Sequence, residues 1–171
     1  MVFQKGFDIL IKAYGELLKN DVEHYLVIIG DGPERSSMIE LVGQLGLDKK
    51  IIFTGFMENP FNLIKNADIF VMSSRFEGFG LVICEAMTLG VPVVATDCTS
   101  GPREVLDNGE YGVLVPVEDI GKLADSIISL LQNPEKRLLL SQKGIIRAEK
   151  FNVSKAVNKF ENMIDKITTC S

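Results

Sequence analysis

Tryptophan is missing from this sequence, histidine occurs once and cysteine only three times. The lone histidine, His24, and the scattered thiols of Cys84, Cys98 and Cys170 contain no C-x-x-C and no histidine pair. An odd number of thiols without that motif suggests a reducing compartment and no disulfide framework. Long apolar runs are lacking too: the longest uncharged stretch, residues 86–96, has 11 residues, far short of the roughly 20 a membrane-spanning helix needs. The opening MVFQKGFD has no basic stretch leading into an apolar one, so no secretory signal is expected. Nor is there an excess of positive charge. Lysine and arginine number 18 against 23 acidic residues, a formal net charge of −5, which argues against a nucleic-acid partner. A cytoplasmic location is the expectation.

What is present is ordinary globular material, with 46% hydrophobic and 24% charged residues. A length of 171 residues predicts one domain spanning residues 1–171, large enough to bury roughly 70% of the surface its unfolded chain exposes. Along the chain, helical and strand periods alternate. Apolar Phe7, Leu10, Ile11, Tyr14, Leu17 and Leu18 recur at helical spacing over residues 5–19. The run Tyr25-Leu26-Val27-Ile28-Ile29 reads as a parallel strand covered by helices on both faces. Pro33 suits the first turn of a helix that carries Met38, Leu41, Val42 and Leu45 inward. Further strands are predicted at residues 51–54, 68–72, 92–96 and 112–115, with helices at 60–67, 80–89 and 103–107 between them. Helices then follow over 120–131, 134–150 and 154–167, leaving residues 168–171 as a loose tail. The fold class is α/β, a Rossmann-like parallel sheet flanked by helices.

In an open parallel sheet, ligands bind beyond the carboxyl ends of the strands. The richest segment there is Ser73-Ser74-Arg75-Phe76-Glu77-Gly78-Phe79-Gly80. Gly78 and Gly80 let the backbone approach a ligand and turn sharply into a helix, whose N-terminal amides are suited to a diphosphate. Glu77 precedes that turn and Glu85 lies about a turn and a half into the helix. Carboxylates beside a phosphate site suit a ligand that brings hydroxyl pairs on both sides, which describes a nucleoside diphosphate sugar. From spacing alone, both glutamates can equally be surface carboxylates stabilised by the helix dipole. His24 lies before a strand, and is read as a surface or packing residue.

The stretch SSRFEGFGLVICEAMTLGVPVVAT resembles the Glu-x7-Glu signature of retaining glycosyltransferases of family 4, which sits in the second domain of their GT-B fold. KGFDILIKA, VIIGDGP, IIFTGF, ADIFVMSS and GVLVP follow in the family's order, so the resemblance covers residues 5–131. It implies that Glu85 holds the ribose hydroxyls and that Glu77 touches the transferred sugar. The segment Gly78, Phe79, Gly80 and Leu81 then offers amides to sugar and diphosphate, and Lys5 is a cation on the diphosphate. Without the resemblance, Lys5 is a solvated lysine near a chain end. Gly55 and Phe56 are expected near the base. Gly30 is either part of the site or of a plain strand-to-helix turn. Glu104 matches a family position, although Gly101-Pro102-Arg103-Glu104 departs from the more frequent Gly-Gly pair; Arg103 is read as a structural cap or a ligand contact.

The implied reaction moves a sugar from a nucleotide donor to an acceptor hydroxyl with anomeric retention. Retaining glycosidases do this with two carboxylates about 5 Å apart. The family instead implies front-face departure, in which the leaving diphosphate helps deprotonate the acceptor while Lys5 and helix amides stabilise its charge. No cofactor and no metal are expected, and no Asp-x-Asp cluster is present. The donor is a co-substrate. The acceptor, a glycan or lipid-linked saccharide, is expected to bind through an N-terminal domain outside this sequence, in an enzyme acting at the inner face of a membrane in surface polysaccharide or glycolipid synthesis. With four residues ahead of Lys5, the family's first strand of this domain and its Gly-Arg pair are expected to be missing from this sequence. The expectation is two unpaired sheet edges, an aggregation liability, and no turnover by this polypeptide alone. The alternative is a nucleotide-binding module or inactive remnant. A sugar epimerase shares the scaffold. A receiver domain lacks its lysine after Thr96-Asp97-Cys98, and a Walker A loop fails because Leu123 follows Gly121-Lys122 and Pro116 replaces its first glycine. The Asn152-Val153-Ser154 sequon is read as accidental.

Overall fold

The computed structural model describes residues 1–20 and 23–151. The predicted helix at 154–167, the tail at 168–171, Cys170 and the sequon lie outside the described residues. The chain opens with a 3-10 turn, Phe3–Lys5, and helix α1, Phe7–Leu18. There follow β1 (Leu26–Ile29), α2 (Arg35–Gln44), β2 (Ile51–Gly55), α3 (Phe61–Lys65), β3 (Phe70–Met72) and α4 (Leu81–Thr88). β4 (Val93–Thr96), α5 (Pro102–Val105), β5 (Val113–Val115), α6 (Ile120–Leu131), α7 (Pro134–Ala148) and a final 3-10 turn, Glu149–Phe151, complete the order.

All the strand pairings are parallel, but the strands form two sheets rather than one. β1 pairs with β2, Leu26 opposite Ile51, and β3, β4 and β5 form the second sheet in that order, with Val94 between Val71 and Val113. β1 and β3 each have a strand on one side only among the described residues. The two sheets nevertheless share a core. Ile28 of β1 and Val94 of β4 bury into one apolar cluster with Ile11, Tyr14 and Leu17 of α1 and Leu123 and Leu130 of α6. Val93 and Ala95 point the other way, against Ile83 and Met87 of α4. That is the side-chain period of two read directly from one fully buried strand. Full burial of each such side chain contributes about 1.5–3 kcal/mol, so Ile11→Ala at the centre of α1 costs about 2–5 kcal/mol.

Three expectations fail for local reasons. Pro33 sits in the turn ahead of α2, whose N-cap is Glu34, so it is not in the helix. Leu45 is the C-cap of α2 and is exposed, while Met38 and Val42 alone are buried on that helix. Tyr25 lies outside β1 and is exposed, its ring covered by the Lys50 ammonium at 5.2 Å. By contrast α6 begins and ends where its periodicity predicts. Asp119 caps it by accepting from the Lys122 amide at 2.9 Å, and Asn133 caps α7 in the same way with Pro134 in the first turn.

Candidate functional site

The carboxyl end of β3 runs into three buried polar residues, Ser73, Ser74 and Arg75. Each is satisfied. The Ser73 hydroxyl donates to the Lys5 carbonyl at 3.1 Å, and the Ser74 hydroxyl to Glu77 Oε1 at 2.7 Å. Glu77 Oε1 also accepts from Lys5 Nζ at 2.7 Å. The Glu77 side chain is only 9% exposed, against 42% for Lys5, so the carboxylate is held under cover and the ammonium reaches in from solvent. Lys5 itself lies on the 3-10 turn rather than on α1, which begins two residues later.

Between Glu77 and α4 the backbone is left accessible. A methyl group on Gly78 would meet nothing within 4 Å, and its φ is ordinary, so the sharp turn comes from Gly80 alone. Gly80 is the N-cap of α4 at φ 79 and ψ 48, a left-handed conformation that other residues adopt only at a cost. No side chain caps α4, and no acidic residue sits in its first turn. The Phe79, Gly80 and Leu81 amides thus open the helix at its positive end. The opposite wall is the β4–α5 loop. Ser100 donates to the Glu77 carbonyl at 2.6 Å, and Gly101, at φ 81, lies so close to Phe79 that an added Cβ would stand 2.5 Å from its carbonyl oxygen. Arg103 pairs with Asp97 on the exposed rim.

Glu85 lies further along α4. It lines a cavity of about 680 Å³ with Phe61, Leu81, Cys84, Thr88 and Phe151. Burial, with the Glu85 charge beside it, pushes the Cys84 thiol up to about 11. Gly30 and Gly55 are brought to each other, the Gly30 amide donating to the Gly55 carbonyl at 2.9 Å, and Phe56 beyond them is 80% exposed. Met1 connects that end to Lys5: its ammonium donates to the Asp31 carbonyl, and its carbonyl accepts from the Glu34 amide. Glu104 sits on α5 with an exposed side chain, its carbonyl accepting from Arg147. Lys5, Glu77 and residues 78–81 are therefore one constellation, with Glu85 on the helix that leaves it. His24 lies 3.8 Å from Asp68, away from all of these. No group of three or more potential metal ligands occurs among the described residues, and no helix among them is long and apolar enough to cross a membrane.

Sequence reasoning passed over Arg75, Asp8, Ser74 and Ser100. Arg75 Nη1 and Nη2 grip both Asp8 carboxylate oxygens at 2.8 and 2.9 Å, and its Nε donates to Glu118 Oε1 at 2.9 Å. The guanidinium holds the Asp8 carboxyl below its usual range, and the two carboxylates push the Arg75 value up. Its partners are 67 and 43 residues away, so no local spacing announces them.

Parallel sheets flanked by helices, with amides and charged groups gathered beyond the strand ends, make an α/β architecture, and its neighbours among solved structures are GT-B glycosyltransferases. S. aureus TarM, solved with UDP and other ligands, superposes with a TM-score of 0.89 at 26% identity over 95% of this chain and 33% of that one. Anabaena HepE in complex with UDP superposes with a TM-score of 0.87 at 25% identity over 95% of this chain and 46% of that one. Residues 1–147 match the family described as glycosyl transferases group 1, and the chain belongs to that family. Curated relatives include an alpha-D-kanosaminyltransferase from Streptomyces kanamyceticus, 32% identical over 96% of this chain and 43% of the relative. Another is the Campylobacter jejuni N-acetylgalactosamine-N,N'-diacetylbacillosaminyl-diphospho-undecaprenol 4-alpha-N-acetylgalactosaminyltransferase, 32% identical over 86% of this chain and 40% of the relative. The chain spans less than half the length of either.

Proposed function

We propose that this chain is the donor-binding half of a retaining, family 4 glycosyltransferase that moves a sugar from a nucleoside diphosphate sugar to an acceptor hydroxyl in surface polysaccharide or glycolipid synthesis. The observation that carries the reading is the placement of the Lys5 ammonium and the Glu77 carboxylate beside the uncapped start of α4, directly after left-handed Gly80. Amides and an ammonium suit a diphosphate, and the carboxylate suits sugar hydroxyls. In this reading the Phe79, Gly80 and Leu81 amides and Lys5 stabilise charge growing on the leaving diphosphate, and Glu77 orients the transferred sugar. Glu85 takes the ribose hydroxyls, with Gly55 and Phe56 toward the base and Gly30 and Glu104 at the edges of the site. No metal enters the scheme. The acceptor, a glycan or lipid-linked saccharide presented at a membrane face, is brought by a separate domain. UDP in the TarM and HepE complexes supports a nucleotide ligand here.

Thermal-shift measurements with UDP-, GDP- and ADP-sugars, repeated on Glu85→Ala, test this. Stabilisation by one donor class that is lost on Glu85→Ala is the expected result. Stabilisation unchanged by that substitution contradicts the ribose role, and no response to any donor contradicts the donor site.

A further inference from the structure

The turn that carries Lys5 has no buried residue of its own. It lies between buried Met1 and α1, and the hydrogen bonds that reach its own residues from elsewhere in the chain come from one short segment. The carbonyls of Phe3, Gln4 and Lys5, consecutive in the chain, accept respectively from Arg75 Nη1 at 2.9 Å, the Arg75 amide at 2.7 Å and the Ser73 hydroxyl at 3.1 Å. The Arg75 guanidinium also stacks over the Phe3 ring, 4.0 Å from its centroid. Gln4 returns one bond, from Nε2 to the Phe76 carbonyl at 3.0 Å. Arg75 is 8% exposed and is itself fixed at the far side by the Asp8 fork and by Glu118. Glu118 adopts a left-handed φ of 62, unusual for a residue with a side chain, while its carboxylate meets Arg75. A planar fork that satisfies a bidentate carboxylate, a second carboxylate and a carbonyl at once has no lysine equivalent.

We infer that Arg75 is a positioning residue for Lys5: by clamping the turn 3–5 to the segment that carries Glu77, it sets where the Lys5 ammonium stands over the diphosphate subsite. The inference rests on the donor-site reading above. Arg75 acts through Lys5. Its guanidinium is committed to Asp8, Glu118, Phe3 and the Phe3 carbonyl, so that of the two it is Lys5 that offers its charge to ligand.

The test is a double-mutant cycle on the full chain, read by calorimetry with UDP, GDP and ADP and with the matching monophosphates. Lys5→Ala is expected to weaken diphosphate binding about tenfold and to leave monophosphate binding largely intact. Arg75→Met is expected to do the same, and to add nothing in the Lys5→Ala background. Asp8→Asn, which sets an amide nitrogen against Nη2, and Arg75→Lys serve if Arg75→Met does not fold; both are expected to shift binding in the same direction. A second readout needs no nucleotide. Acetylation of Lys5, followed by mass spectrometry against exposed Lys136, is expected to accelerate severalfold in the Arg75 and Asp8 variants. Equal loss of mono- and diphosphate affinity, additivity with Lys5→Ala, or unchanged Lys5 acetylation would overturn the inference. A wild-type protein indifferent to all the nucleotides overturns the donor reading, and the acetylation rates then decide the positioning of Lys5 by themselves.

Discussion

Lys5 Nζ donates to Glu77 Oε1 at 2.7 Å, closing a contact between residues 72 positions apart. Two side chains given separate roles in the donor reading are thus each other's partners. A diphosphate must draw Lys5 away from Glu77 or share it. Because Lys5 is 42% exposed, the pair is worth no more than about 1 kcal/mol. Glu77→Gln is therefore expected to bind the bare nucleoside diphosphate as well as wild type, or up to about fivefold tighter. The same variant is expected to lose the extra affinity that the sugar of the donor confers. Calorimetry with diphosphate and donor side by side checks both halves.

Gly78 and Gly101 lie on facing loops and separate folding from binding. Gly101→Ala forces a left-handed residue against the Phe79 carbonyl, and is expected to cost about 2 kcal/mol or more in urea denaturation. Gly78→Ala meets open space at an ordinary φ, and is expected to change stability by no more than about 0.5 kcal/mol. Its methyl group instead obstructs the ligand, so nucleotide affinity falls while the denaturation midpoint stays.

Asp8 makes stability depend on pH. Its folded pKa is depressed below 3.8, so its contribution is complete above that value and is lost as pH falls through the folded pKa. Asp8→Asn is expected to be about 1–3 kcal/mol less stable than wild type at pH 7. The gap should narrow as the pH drops below 3.8, measured as urea midpoints from pH 7 to pH 2.5. A constant gap would mean that the carboxylate charge is not what Arg75 uses.

Cys84 shares its cavity with Glu85. A thiol raised from 9.0 to about 11 carries about a hundredfold less thiolate at pH 7 than an ordinary one. Iodoacetamide labelling followed by peptide mapping should find Cys84 slower than an unstructured cysteine peptide by about that factor. Labelling at the rate of the free peptide would contradict the buried, Glu85-facing environment.

The positions of the strands along the chain and the rich turn before α4 were legible because they are local. Short apolar runs closed by glycine, and Asn133-Pro134 ahead of a periodic stretch, report on their own neighbourhood. What was not legible depends on distance. Leu45 reads as the next apolar position of α2 but falls one residue past its end, where the chain turns outward. Glu77 has ordinary helix-start spacing, and its burial follows from Lys5 and Ser74 meeting it in space. Arg75 is the extreme case: a charged residue within a surface-looking SSRFEG string proves to be 8% exposed, because Asp8 and Glu118 arrive from elements far along the chain. The division of the strands into two sheets was not legible either, because the apolar runs along the chain do not say which strands pair.

The most direct test of the central claim is amide chemical-shift mapping on the 15N-labelled chain, titrated with UDP, GDP and ADP and then with the corresponding nucleosides. The account predicts that one diphosphate moves the Phe79, Gly80 and Leu81 amides strongly, and that its nucleoside leaves those three nearly still while perturbing residues near Glu85. If the folded chain binds a diphosphate and those three amides do not respond, the start of α4 is not where the pyrophosphate sits.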